Sequence, residues 1–271
     1  MAGILYITAT PIGNLGDIGE RALKTLSEVD FISAEDTRVT LKLLSHFGIS
    51  KPVVSYHEHN KFSAGQQILS RLKSGESCAL VTDAGMPAVS DPGCELVAAC
   101  HAEDVPVTVI PGASAVVCAV ALSGFTKKRF SFEGFLPASG KERTDILSRA
   151  ASYDGLVIFY EAPHRLQKTL CELYHIFGDQ PAVVIKEISK IHETVIPGKL
   201  SEFVTGYEEV RGEFVIVIEN TPVIKTEDPV AFALELTELG VSASDAAKYT
   251  AKKLGAKKNE LYAEILNKKA K

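Results

Sequence analysis

The feature that most constrains this chain is an alternation of two periodicities across its first 120 or so residues. Short apolar, β-rich runs (GILYITAT from Gly3, FISAE from Phe31, VVSYH from Val53, CALVTD from Cys78, VPVTVIP from Val105) alternate with segments of helical spacing, such as Ile18, Ala22, Leu26 and Ile68, Leu72. Strands that are apolar on both faces suit a parallel sheet covered by helices on each side. A doubly wound α/β domain is therefore expected over residues 1–122. In such sheets ligands bind outside the carboxyl ends of the strands, so those ends carry the functional expectations.

The pattern changes at the basic stretch around Lys127, Lys128 and Arg129. Beyond it, GLVIFYE, AVVIKEIS, HETVIPG and EFVIVIE read as strands with few helices between them, which implies antiparallel pairing. Residues 123–221 are expected to form a second, mixed-sheet α/β domain, with a helix from Gly140 and another from Pro163. A polar connector, Thr221 to Pro229, leads to a small helical segment over 228–271, where Ser242 or Ser244 caps a helix ending at Leu254-Gly255.

No apolar run reaches the roughly 20 residues needed to cross a bilayer, so a cytoplasmic protein without membrane association is expected. The five cysteines show no metal-ligand spacing and read as buried small hydrophobes. The net charge of −5 hides an asymmetry: Lys248 to Lys271 carries eight lysines against two glutamates, a net +6, leaving −11 on the rest. That tail is either a solvated helical face or a contact for a polyanion.

Several polar stretches fall at strand ends. In TPIGNLGDI, from Thr10, Pro11 ends the strand and Asp17 is expected to cap the next helix; Gly13 and Gly16 fit no phosphate-loop spacing. In DAGMPAVSDPG, residues 83–93, Asp91 and Pro92 read as a helix start, while Asp83, Ala84 and Gly85 leave a carboxylate and bare backbone where a ligand can approach. In IPGASA, residues 110–115, Ser114 is either a simple cap or part of an anion-binding helix N-terminus. In FYEAPHRL, residues 159–166, Arg165 lies in a helical first turn, where it meets an anion or Glu161. AEDTR (34–38) and HEHN (57–60) also follow strands, but alternate residues of an extended chain point apart, which disfavours a metal shared by His57 and His59.

In this order and spacing, these motifs resemble the bacterial ribosomal RNA small-subunit methyltransferase I family, among the tetrapyrrole-methylase-like enzymes. The resemblance runs from about Leu5 to Glu219, with NELYAEIL near the C-terminus also similar. It implies S-adenosylmethionine in a cleft between two α/β domains, no metal, a homodimer, and methylation of a cytidine ribose 2′-hydroxyl in the decoding region of 16S ribosomal RNA within the small subunit. By motif position the cofactor residues are Pro11, Asp83, Ala84, Gly85, Val89, Ser114 and Ala115, with Phe159 and Tyr160. Asp36, His57 and His59 are the candidate catalytic groups; Asn14, Arg38, Glu58, Lys127, Lys128, Arg129 and Arg165 are the candidate RNA contacts, with Lys141 and Arg143 as a further basic stretch. Two departures stand out: Met86 replaces a usual threonine, and Ala113 occupies a usual proline or small-residue position. A tetrapyrrole or other small-molecule methyltransferase of the same fold is the alternative.

Overall fold

A computed structural model describes residues 2–204, 211–222 and 228–269. The five apolar runs become β1 (Leu5–Thr8), β2 (Phe31–Ala34), β3 (Val53–Ser55), β4 (Cys78–Val81) and β5 (Val107–Ile110), all parallel, in the order β3-β2-β4-β1-β5. Between them run α1 (Glu20–Glu28), α2 (Thr37–His46), α3 (Lys61–Lys73) and α4 (Cys94–Ala102), and α5 (Ala115–Ser123) follows β5. Side chains alternate along each strand, so the central strands feed two cores. Leu5, Ile7, Phe31 and Leu80 pack with Ile68 and Leu72 of α3 and Leu96 of α4. Ile32, Ala34, Ala79 and Val81 pack with Leu26 of α1 and Leu44 of α2. This is the doubly wound arrangement expected from strands apolar on both faces.

The second sheet has the order β6-β7-β10-β8-β9. Its strands are β6 (Phe130–Phe135), β7 (Gly155–Glu161), β8 (Pro181–Lys186), β9 (Thr194–Lys199) and β10 (Phe214–Asn220). Three pairings are antiparallel, whereas β6 lies parallel to β7 with a bulge between Phe132 and Gly134. The four-strand expectation missed β6, because a bulge breaks the period-2 pattern. One face of this sheet packs on α6 (Lys141–Ala151) and α7 (Pro163–Phe177), and α8 (Leu200–Val204) adds Leu200 and Phe203 to the same core. The opposite face receives Val116 and Ala119 of α5, so the helix that leaves the first sheet caps the second.

Met1–Pro222 form one compact unit and Val223–Lys271 another. The latter holds α9 (Pro229–Glu238), α10 (Ala243–Leu254) and α11 (Lys258–Lys269) around Ala233, Ala247, Leu261 and Ile265. Of the two serines offered, Ser242 is the one that caps α10, and Gly255 ends it as expected. Residues 223–227 of the polar connector and Lys271 of the basic tail lie outside the described residues.

Four local expectations are corrected. Asp17 caps no helix: α1 starts after Gly19, and the Asp17 carboxylate accepts from the Ser189 hydroxyl. Asp91 does not start α4, whose N-cap is Gly93; the chain still has a turn to complete after Pro92. Arg143 is 5% exposed and cannot meet RNA, because it donates to Glu172, the Pro137 carbonyl and Thr169. Cys94 is exposed, whereas Cys78 and Cys100 are buried as expected.

Candidate active site

Three loops meet at the carboxyl edge of the first sheet, where β1 lies between β4 and β5. Thr10 and Gly85 form an isolated antiparallel bridge, the Thr10 N–H donating to Gly85 O at 2.9 Å and the Gly85 N–H to Thr10 O at 3.1 Å. Gly85 has φ +85°, and a Cβ there would stand 3.3 Å from Ile12 Cγ2 and 3.7 Å from the Ala113 carbonyl. Only a glycine takes this backbone and this proximity without strain. Gly112 is similarly close to β1, a Cβ there falling 2.8 Å from Ala9 Cβ. The loops after β1, β4 and β5 are thereby locked together around bare main chain.

The second sheet supplies the facing wall. Tyr160 stands beside the Val116 N–H at the start of α5, and burial pushes its phenol up to about 12. Phe132 and Phe135 pack edge-on against its ring at 4.7 and 5.5 Å. Gly134 lies near Ser90, since a Cβ there would be 3.6 Å from Ser90 Oγ. Ser114 occupies the α5 N-cap, but its hydroxyl makes no capping bond, so the simple-cap alternative does not describe it. The first-turn amides of α5 have no intrahelical acceptors, a geometry suited to an anion.

Around this cleft Ala84 is exposed, Val89 is exposed, and Pro11 and Ala115 are half-buried. Phe159 departs from its expected role. Its side chain is fully buried on the α6/α7 face, with its ring against Phe177, because neighbours on a strand point to opposite faces. Only its main chain can reach the Tyr160 side. Met86 packs into the core with α3 and α4, so the departure from threonine leaves no hydroxyl in the loop there. Gly13 lies against the Lys190 side chain.

The carboxylates were only partly foreseen. The Asp83 carboxylate accepts from the Asp36 N–H at 3.1 Å, and burial, reinforced by Glu35 and Asp36, raises its pKa. Asp91 is raised by burial as well, beside Thr82 and near Glu35 and Asp83. Glu35 was not singled out, yet Thr82 donates to it at 2.8 Å. The pairing of Ala34 with Val81 was the missing signal: one step further, Glu35 must lie opposite Thr82.

Asp36 caps α2 through the Arg38 N–H and accepts two further bonds from the Arg38 guanidinium, which hold its carboxyl down to about 2. A carboxylate so stabilised is a weak base. Its lowered pKa contributes stability that is complete above the unfolded carboxylate range near pH 4 and is lost as pH falls toward about 2. Asp36→Asn is therefore expected to lose stability at pH 7, with the gap to wild type narrowing below pH 4; urea titrations across pH read it.

His57 and His59 turn out to be neighbours, with ring centroids 5.9 Å apart, because residues 58–60 form a turn rather than extended chain. They follow β3, the edge strand, with β2 between it and β4. The His57 Nδ1 is buried without a hydrogen-bond partner. Glu58 pairs with Lys61, which also holds Glu95. Among the described residues no group of three His, Cys, Asp or Glu is placed to hold a metal ion.

The basic candidates divide. Lys128 and Arg129 are exposed. Lys127 is tied to Asp154, the Asn220 carbonyl and Thr221. Arg165 meets buried Glu161 at 3.2 Å and donates to the Leu136 carbonyl, which settles its two alternatives in favour of the glutamate. Asn14 caps the short turn Leu15–Asp17 through the Gly16 N–H.

Comparison with known proteins agrees with this architecture. Residues 5–204 match the tetrapyrrole (corrin/porphyrin) methylases. A protein named ribosomal RNA small subunit methyltransferase I from Synechocystis sp. is 42% identical, covering 96% of both chains. Its namesake from Xylella fastidiosa is 45% identical over 96% of this chain and 98% of its own. Uroporphyrin-III C-methyltransferase from Thermus thermophilus, solved with S-adenosylhomocysteine, shares the fold at a TM-score of 0.58 and 20% identity, over 79% of this chain and 96% of its own. No helix among the described residues is long and apolar enough to cross a membrane. By sequence match the chain belongs to the tetrapyrrole methylase family and, within it, to the ribosomal RNA small subunit methyltransferase I family.

Proposed function

We propose that the protein transfers the methyl group of S-adenosylmethionine to the ribose 2′-hydroxyl of a cytidine in the decoding region of small-subunit ribosomal RNA. The observation that carries this reading is the locked junction of three strand-end loops at Gly85, faced by Tyr160 and the uncapped start of α5. Its donors and acceptors fit the cofactor. The exposed Asp83 accepts from hydroxyls or amines, the Ser114 hydroxyl and α5 amides suit a carboxylate, and the exposed Val89 offers apolar contact. Pro11, Ala84 and Ala115 line the same cleft, while Phe159 contributes main chain only. The segments 1–122 and 123–221 act as its two walls.

When bound, the cofactor supplies a methyl on a sulfonium: the ribose oxygen forms the new C–O bond as the S–C bond breaks, and the hydroxyl proton leaves to a base. The protein's part is alignment and exclusion of water. The raised carboxylates Asp83 and Asp91 accept protons more readily than Asp36 does, while His57 and His59 sit two strands away at the sheet edge. Of the basic candidates in this unit, Lys128, Arg129 and Lys141 are exposed toward RNA, and Arg38 is exposed while paired with Asp36. Exposed Val109 on the edge strand β5, with Val117 and Leu122 on α5, supports a homodimer.

The test incubates purified protein with methyl-labelled S-adenosylmethionine and small subunits from cells lacking the gene, after light scattering has sized the protein at twice its 29.2 kDa chain mass. Label on a cytidine ribose is expected. Label on a base, or none, overturns the reading.

A further inference from the structure

We propose that the outer groove between α9 and α10 is a stacking site for single-stranded RNA, in which Tyr249 receives a base and Lys248 and Lys252 receive the flanking phosphates. The inference rests on the ribosomal RNA reading and assigns a binding surface that reading does not contain.

Asp245, Lys248, Tyr249 and Lys252 recur along α10 at helical spacing and form one stripe. With Phe232 and Leu236 of α9 and Val241 of the connecting loop they line a cavity of about 560 Å³. This is not the packing face of the unit: Ala246, Ala247 and Thr250 are the buried residues of α10, and the core lies on their side. Apolar surface is nevertheless left open, with Tyr249 57% exposed and Val241 36% exposed. A large aromatic ring presented to solvent beside a groove is a surface awaiting a flat partner.

The arrangement around the ring selects the partner. The Phe232 and Tyr249 rings are stacked with an interplanar angle of 28°, their centroids 6.3 Å apart, and Lys253 Nζ lies 4.0 Å from the Phe232 centroid. Among the described residues Lys248 and Lys252 make no ion pair, so their ammonium groups are available. The one acid in the groove, Asp245, is already engaged by the Ser242 hydroxyl at 2.6 Å in the helix cap. An exposed aromatic ring flanked by unpaired lysines, on a segment with a net charge of +6 from Lys248 to Lys271, matches a polymer with flat bases and a phosphate at each step. A peptide partner would call for carboxylates to meet the lysines and no particular flat ring.

The experiment uses the full chain and a fluorescently labelled, unstructured cytidine-uridine 12-mer, read by anisotropy across a salt series. Tyr249→Ala is expected to weaken binding by at least fivefold, whereas Tyr249→Phe, which keeps the ring, stays within twofold of wild type. Lys248→Ala with Lys252→Ala is expected to reduce the slope of log affinity against log salt by about 1.4, two single-strand phosphate contacts' worth. Circular dichroism checks that each variant keeps its helices. Wild-type affinity in Tyr249→Ala, failure of Tyr249→Phe to rescue, or no binding by wild type overturns the proposal. If the variants bind the 12-mer normally but no longer co-sediment with intact small subunits, the groove takes a protein and the RNA assignment fails. Labelling of small subunits by wild type, run in parallel, separates these outcomes from failure of the methyltransferase reading.

Discussion

Ala84→Arg is expected to weaken S-adenosylmethionine binding by at least 100-fold in isothermal titration, about 2.7 kcal/mol, with the thermal midpoint within about 2 °C of wild type. Ala84 is exposed at the end of β4, one residue before the Thr10–Gly85 bridge, so a longer side chain extends into the cleft without entering the core. A guanidinium there both occupies the cofactor's space and repels its sulfonium charge in a partly desolvated site, where such repulsion is strong. Gly85→Ala tests the same junction differently. Its methyl must adopt φ +85° at 3.3 Å from Ile12, so folding stability falls by about 1–2 kcal/mol. Undiminished affinity in Ala84→Arg would remove the cofactor from this strand end.

Arg165→Ala is expected to lower unfolding stability by about 3 kcal/mol in urea titration, the lower end of the cost of stranding a buried charge. The Glu161 side chain is wholly buried, accepting from the Ala162 N–H at 2.9 Å and the Thr169 hydroxyl at 2.6 Å, and it is ion-paired with Arg165 Nε at 3.2 Å. Arg165 also donates to the Leu136 and Pro137 carbonyls, which ties the end of β6 to the start of α7. Lysine has one ammonium in place of this fork, so Arg165→Lys recovers only part of the loss. A stability change below 0.5 kcal/mol together with weaker RNA binding would instead return Arg165 to the substrate surface.

The two predictions concern residues that looked alike in the sequence, each a motif residue beside a strand end. Ala84 lies exposed in the loop after β4, where the parallel sheet itself places it. Arg165 is drawn onto Glu161, which lies four residues earlier and faces the same way on entering the helix. Arg143 and Lys127 follow the same logic: each is a cation drawn inward by acceptors that are remote in sequence, Glu172 for one and Asp154 for the other. A basic stretch read from sequence therefore overstates the surface open to RNA.

The sequence by itself determined the parallel sheet, the mixed sheet and the Pro163 helix start, and narrowed the α10 cap to Ser242 or Ser244, because these follow from periodicity and from contacts within a few residues. The tertiary structure alone decided which face each strand residue takes. It buried Phe159 beside Tyr160, placed Glu35 opposite Thr82, turned His57 toward His59 and left Asp91 beside Thr82, with Gly93 capping α4. Local rules fix what a segment becomes, but a side chain's charge state and accessibility depend on partners such as Thr82, 47 residues from Glu35, and only the packed chain brings those together.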